Sequence, residues 1–110
     1  MKPRKIAANY IFLPGYPLLR NGYVVLEDGR VTNVVDTGGV VSEIPCLEFY
    51  GGMLVSLAAA TRVPWQEGDD ILDRLRAVEM GENLSGLALI EGADLHDFRW
   101  LKTTRLTILR

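Results

Sequence analysis

The chain has 110 residues, of which 48 % are hydrophobic and 24 % charged, and its formal net charge is -2. That length predicts one domain, able to bury about two-thirds of the surface its unfolded form exposes. The basic residues are scattered, so no stripe tracks phosphates and a nucleic-acid partner is excluded. No stretch approaches the roughly 20 apolar residues of a membrane span, which excludes a membrane partner as well.

Cys46 is the only cysteine and His96 the only histidine. A lone cysteine allows neither an intrachain disulfide nor a thiolate zinc cluster, and it fits a reducing, cytoplasmic setting. The opening "MKPRKIAANYIF" has basic residues first, but Asn9 breaks its apolar part, so it does not read as a secretory signal. Without such a signal, Asn83-Leu84-Ser85 matches a glycosylation acceptor by chance.

Residues 5–12 alternate, with Ile6, Ala8, Tyr10 and Phe12 expected on one face and Ala7, Asn9 and Ile11 on the other, which predicts a strand. Pro14, Gly15, Pro17, Asn21 and Gly22 make the next stretch a loop. "YVVLEDGRVTNVV", residues 23–35, predicts a hairpin about Asp28-Gly29, because a type I′ turn needs positive φ at both central positions. Thr37-Gly38-Gly39 ends its second strand. Two further short strands are expected at 44–49 and 53–57, with Gly51-Gly52 as a tight turn between them.

Residues 58–68 lose period two, and Pro64 and Gly68 close them off as a connector. Residues 69–80 predict one covering helix, capped by Asp69 or Asp70, with Ile71, Leu72, Leu75 and Val78 as its apolar stripe. An Asp70–Arg74 pair is expected on its outer side, and Gly81 is its stop. Strands are expected again at 86–90 and around Leu106 and Ile108. The sum is a mainly β fold, a β-sandwich or β-roll of about 6–8 short strands under one helix.

"KIAANYIF", then "NGYVVLEDGRVTNVVDTGG", then "LEFYGGMLV", resembles in order the N-terminal part of the amidohydrolase superfamily, most closely its cytosine deaminase and chlorohydrolase-like members. "MGENLSGLALIEGADL" resembles the C-terminal return of the same enzymes, with Gly81, Gly86, Ala93 and Asp94 fitting its cadence. The resemblance implies a composite β-sandwich built from both ends of the chain, amidohydrolase composite-domain-like, with residues 1–57 and 69–110 as its halves. In the family a TIM barrel stands between those halves, and the strand after the double glycine leads to a metal-binding His-x-His. Here that strand leads to Ser56-Leu57-Ala58, and residues 58–68 stand where the barrel would be. A barrel needs at least about 200 residues. The resemblance therefore carries over no catalytic residue, metal ligand or cofactor.

One imidazole cannot supply the ligand set of a catalytic zinc. Asp94, His96 and Asp97 form the one compact polar cluster; on a strand Asp94 and His96 would share a face, as a metal or general-base site requires, and a solvated strand end or turn is the structural alternative. Cys46 reads as a small buried apolar residue. Glu67, Asp69 and Asp70 read as helix-capping acids. Trp65 and Trp100 belong to a core or interface.

The expected function is a non-catalytic sandwich domain serving assembly or small-ligand binding. The alternative is part of a metal-dependent hydrolase of C–N bonds whose barrel lies on another chain or has been lost. Met53, Leu57, Val63 and Trp65 belong to a segment with one charge, Arg62, between Gly52 and Glu67. They are the expected interface of a homodimer, or of a contact with a barrel-containing amidohydrolase chain.

Overall fold

The computed structural model describes residues 3–20, 22–37, 46–78 and 86–109. The expected stop at Gly81, the Asn83-Leu84-Ser85 triplet, Gly38-Gly39, Met80 and the start of the 44–49 strand lie outside them. The elements run β1 (Arg4–Phe12), β2 (Gly22–Glu27), β3 (Arg30–Asp36), β4 (Leu47–Ser56), α1 (Leu57–Thr61), α2 (Ile71–Arg76), β5 (Leu87–Glu91) and β6 (Arg105–Leu109). The fold is mainly β, as expected. The six strands join in one mixed sheet, ordered β3-β2-β1-β4-β5-β6, in the manner of a small sandwich-like domain with both faces packed. Two short helices are described where one was expected, because the 58–68 connector begins with α1. No helix of the described residues is long and apolar enough to cross a membrane.

The β2–β3 hairpin turns on Asp28 (φ 51) and Gly29 (φ 77), with Glu27 opposite Arg30. Both central residues have the left-handed backbone a type I′ turn demands. β4 then returns parallel to β1 and pairs antiparallel with β5 on its other side. This pairing unites the two halves of the chain. The hairpin is at the far edge of the sheet from β5 and β6, but Val24, Leu26 and Val31 belong to the same apolar cluster as Leu87, Leu89 and Leu109. The second cluster, on the helix side, is built on Met53, Val55, Ala59, Ile71, Leu75, Ala88 and Ile90. Residues 53–56 and 87–90 are buried on both sides, which is why they read as unbroken small and apolar runs.

Gly51-Gly52 is not a turn. β4 passes straight through it, and the register with β1 slips by one residue between Ala8 and Tyr10. β1 changes face there. Ile6 and Ala8 share a cluster with Ile11 and Leu13, whereas Tyr10 and Phe12 pack against the other cluster. The even-residue alternation expected along β1 therefore holds only up to Asn9. The Asn9 side chain fills the irregularity, its Oδ1 accepting from the Gly52 amide at 2.8 Å. A turn and a bulge draw on the same property of glycine, so the sequence pattern alone did not separate them.

Gly52 has φ 141, and a Cβ there would stand 2.3 Å from the Ile90 carbonyl oxygen; at Gly51 the nearest atom would be Asn9 Oδ1 at 3.9 Å. Gly52→Ala is expected to cost about 3 kcal/mol or more, from backbone strain plus displacement of β5. Gly51→Ala is expected to stay within about 1 kcal/mol. Chemical denaturation of the two variants checks the pair, and equal losses would contradict this account of the bulge.

Candidate functional site

The Asp94 cluster is a closed turn, not a strand face. Asp94 and Arg99 pair through both backbone hydrogen bonds at 3.0 Å, which closes a loop of the four residues between them. Asp94 Oδ1 accepts from the amides of His96 (2.9 Å) and Asp97 (3.2 Å). Phe98 completes the loop at φ 55. The Asp94 carboxylate is thus occupied by its own backbone, in the manner of an Asx turn. The His96 and Asp97 side chains are exposed. Among the described residues no group of three or more His, Cys, Asp or Glu is placed to hold a metal ion.

The expected interface residues are turned inward. Met53 is 0 % exposed and Val63 is buried, while Leu57 and Trp65 are half-buried against the helix-side cluster. Trp65 stacks on Trp100 with ring centroids 4.6 Å apart and planes 6° apart, and its Nε1 donates to the Ala60 carbonyl at 3.0 Å. The segment between β5 and β6 covers this stretch. Trp100 and Asp69 join through N–H···O at 2.9 Å, Gly68 donates to the Trp100 carbonyl at 2.7 Å, and Ile71 donates to the Phe98 carbonyl at 2.9 Å. Met53 and Val63 are therefore core residues of this chain, and Trp65 is packed against that core. The low charge between Gly52 and Glu67 reflects burial under residues 92–104, a distant segment whose approach local sequence does not reveal.

Three smaller expectations also change. Cys46 is exposed at φ 61, at the turn into β4, and not buried. Arg74 pairs with Asp69 (Nε–Oδ2 3.5 Å) instead of Asp70. Asp70 is engaged as the α2 N-cap, accepting from the Asp73 amide at 3.0 Å, while Asp69 Oδ2 also accepts from the Gln66 amide.

One concave feature among the described residues had no counterpart in the sequence reading. A cleft of about 600 Å³ opens between the loop after β1 and the two helices. Its outer wall is "LPGYPL", residues 13–18. Ile11 and Leu19 clamp that loop at its base by two backbone hydrogen bonds of 2.9 Å. Tyr16 donates from its amide to the Leu13 carbonyl at 3.1 Å, with Pro14 second in the turn and Gly15 third at φ 83. That is the residue pattern of a type II turn, so the wall is held in place without any ligand. Phe12, Ala59, Leu75 and Val78 supply apolar surface.

Three of the described lining residues, Arg76, Ser56 and Tyr16, carry polar side-chain groups. Arg76 lies at the end of α2 with its guanidinium 5.4 Å from the Phe12 ring centroid. Its acidic partner Asp73 is 3.7 Å away, and both side chains are largely exposed, so water screens the pair. Ser56, the last residue of β4, is 2 % exposed. It is the α1 N-cap, its Oγ accepting from the Ala59 amide at a long 3.4 Å. Its hydroxyl proton has no acceptor among the described residues.

The groups whose acidity departs from ordinary values lie away from this cleft. Arg4 grips Glu48 through Nε (2.9 Å) and Nη2 (2.7 Å), and the Tyr50 hydroxyl donates to Glu48 at 3.0 Å. Hydrogen bonding from Arg4 first, then from Tyr50, holds the Glu48 carboxyl below its usual range. Glu91 is lowered by the Thr107 hydroxyl and then by Arg105. These are strand-to-strand ties, and none forms a reactive pair.

Two outcomes follow from this geometry. Trp65→Ala is expected to lower stability by about 2–3 kcal/mol through loss of the Trp100 stack and its cavity, with the same melting temperature at ten and at several hundred micromolar protein. A concentration-dependent loss would restore Trp65 to an intermolecular contact. Second, a depressed carboxyl contributes stability that is complete above its unfolded-state pKa and is lost as pH falls through the folded one. Arg4→Met should therefore flatten the stability loss between about pH 5 and pH 3, by at most about 1 kcal/mol because both partners are partly exposed. Denaturation midpoints across that range read the difference. No family model, curated protein or solved structure matches this chain.

Proposed function

We propose that this chain is a non-catalytic small-ligand module, a mainly β domain that holds an apolar small molecule between residues 13–18 and the helices. The cleft of about 600 Å³ carries this reading. It falls within the roughly 300–1,000 Å³ of small-molecule sites, with mostly apolar walls and few polar groups. Its wall is set by the type II turn and the Ile11–Leu19 clamp, so binding would cost little ordering of the loop.

An assembly role is the second reading, through a homodimer or a barrel-bearing amidohydrolase chain. The β4–β5 pairing supports it, because it unites the two segments that resemble the halves of that family's composite domain. Phe49, 65 % exposed, and Ile108, 49 % exposed, are the large apolar side chains such a contact would cover. Hydrolysis of C–N bonds at a metal centre would need histidines from another chain, since this one has a single histidine. The single cysteine supports a cytoplasmic setting.

A neutral apolar fluorophore, N-phenyl-1-naphthylamine, tests the ligand reading. Its emission is expected to rise saturably at one site on the native chain. Leu18→Trp, which fills the cleft from its wall, is expected to abolish that rise with the melting temperature unchanged. Absence of saturable binding, or binding indifferent to Leu18→Trp, would overturn the reading.

A further inference from the structure

We infer that the cleft selects an apolar small molecule bearing one carboxylate, with Arg76 as its counter-ion and Ser56 as a second hydrogen-bond donor. The inference rests on the small-ligand reading and adds the chemical class of the ligand. Four observations on the lining residues carry it.

First, among the described residues that line the cleft, the one charged side chain is that of Arg76. Second, Arg76 is positioned but not consumed. Its stack over Phe12 fixes the guanidinium at the edge of the apolar wall, while its contact with Asp73 at 3.7 Å is long for a charge-assisted hydrogen bond. A planar guanidinium offers paired N–H donors to a carboxylate, a fit that its contact with Asp73 does not use.

Third, the buried Ser56 hydroxyl has no acceptor for its proton among the described residues. As N-cap it accepts from the Ala59 amide, and that role leaves its O–H free to donate. A ligand oxygen in the cleft can accept that proton while the Ala59 contact is kept. Arg76 and Ser56 thus each offer a donor to an acceptor. Fourth, Phe12, Leu13, Leu75 and Val78 give the cleft an aliphatic and aromatic part that suits a hydrocarbon chain or ring.

Amide chemical-shift titrations of the ¹⁵N-labelled full chain with decanoate and with decan-1-ol, both below aggregation, test this. Decanoate is expected to shift Ser56, Ala59 and Leu75, and to bind at least tenfold more tightly than decan-1-ol at pH 7. Arg76→Met keeps the apolar stem and should remove that tenfold preference while changing decan-1-ol binding less than twofold. Ser56→Ala should weaken decanoate severalfold, with thermal melts confirming that the fold survives loss of the cap. On the unmutated chain, decanoate affinity should fall towards that of decan-1-ol as pH drops below about 5 and the carboxylate protonates. Equal binding of the two ligands at pH 7, insensitive to Arg76→Met, would overturn the carboxylate inference and leave the small-ligand reading intact. Failure of both ligands to perturb any cleft amide would overturn both.

Discussion

The parallel pairing of β1 with β4, and the one-residue slip within it, is the constraint on which the rest of the molecule depends. Before the slip, Ile6 and Ala8 face the hairpin-side cluster; after it, Ile11 and Leu13 do, and Tyr10 and Phe12 turn towards the helices. Without that change of face, Phe12 would not lie under Arg76, and Leu13 would not start a loop that leans over Ser56. Gly52 permits the slip because its backbone takes φ 141 against the Ile90 carbonyl, and Asn9 occupies it by hydrogen-bonding the Gly52 amide. Two adjacent strands thereby serve both faces of the sheet, and the cleft forms where they end.

Local chemistry was legible wherever it was decided locally. Asp28-Gly29 announced a type I′ turn because few dipeptides tolerate two positive φ angles, and the structure has both. The alternation of 5–8, a strand at 86–90 and a cap at Asp69 or Asp70 followed from period and donor–acceptor matching over a few residues, and the structure places the cap at Asp70. What failed was decided at long range. Gly51-Gly52 read as a turn, since positive φ is shared by turns and bulges and only the partner strand discriminates them. Trp65 read as an exposed anchor because its cover, Trp100, is 35 positions away in sequence and reaches it through backbone contacts of Gly68, Asp69 and Ile71.

The site was the least legible part. Asp94, His96 and Asp97 drew attention by composition, yet composition cannot distinguish carboxylates aimed at a ligand from one that caps its own turn. The amides of His96 and Asp97 claim Asp94 Oδ1, so the cluster is conformational chemistry. The cleft left only faint marks in the sequence: "LPGYPL" as a loop, Val78 as the end of a helical stripe, Ser56 as the residue where an expected motif stops. Pro14 before Gly15 was the available signal, because a Pro-Gly pair fixes a loop's shape and a fixed loop can wall a pocket.

The point at which the resemblance to amidohydrolases breaks is also the point at which the cleft begins. In that family the strand after the double glycine delivers metal ligands from its end. Here β4, whose sequence resembles that strand, ends on Ser56, which caps α1 and borders the cleft. A strand end is a natural place for such a group, since the sheet fixes the backbone while the chain beyond it is free to turn away. An imidazole pair there would demand a cation and further ligands, which a chain with one histidine does not offer. A serine makes a smaller demand: its oxygen closes the first turn of α1 and its proton needs one acceptor. Arg76, brought beside Phe12 by α2, makes the compatible demand for negative charge. In the proposed reading this strand end meets an oxygen anion where the resembled family holds a metal, through a helix cap and a cation packed on an aromatic ring.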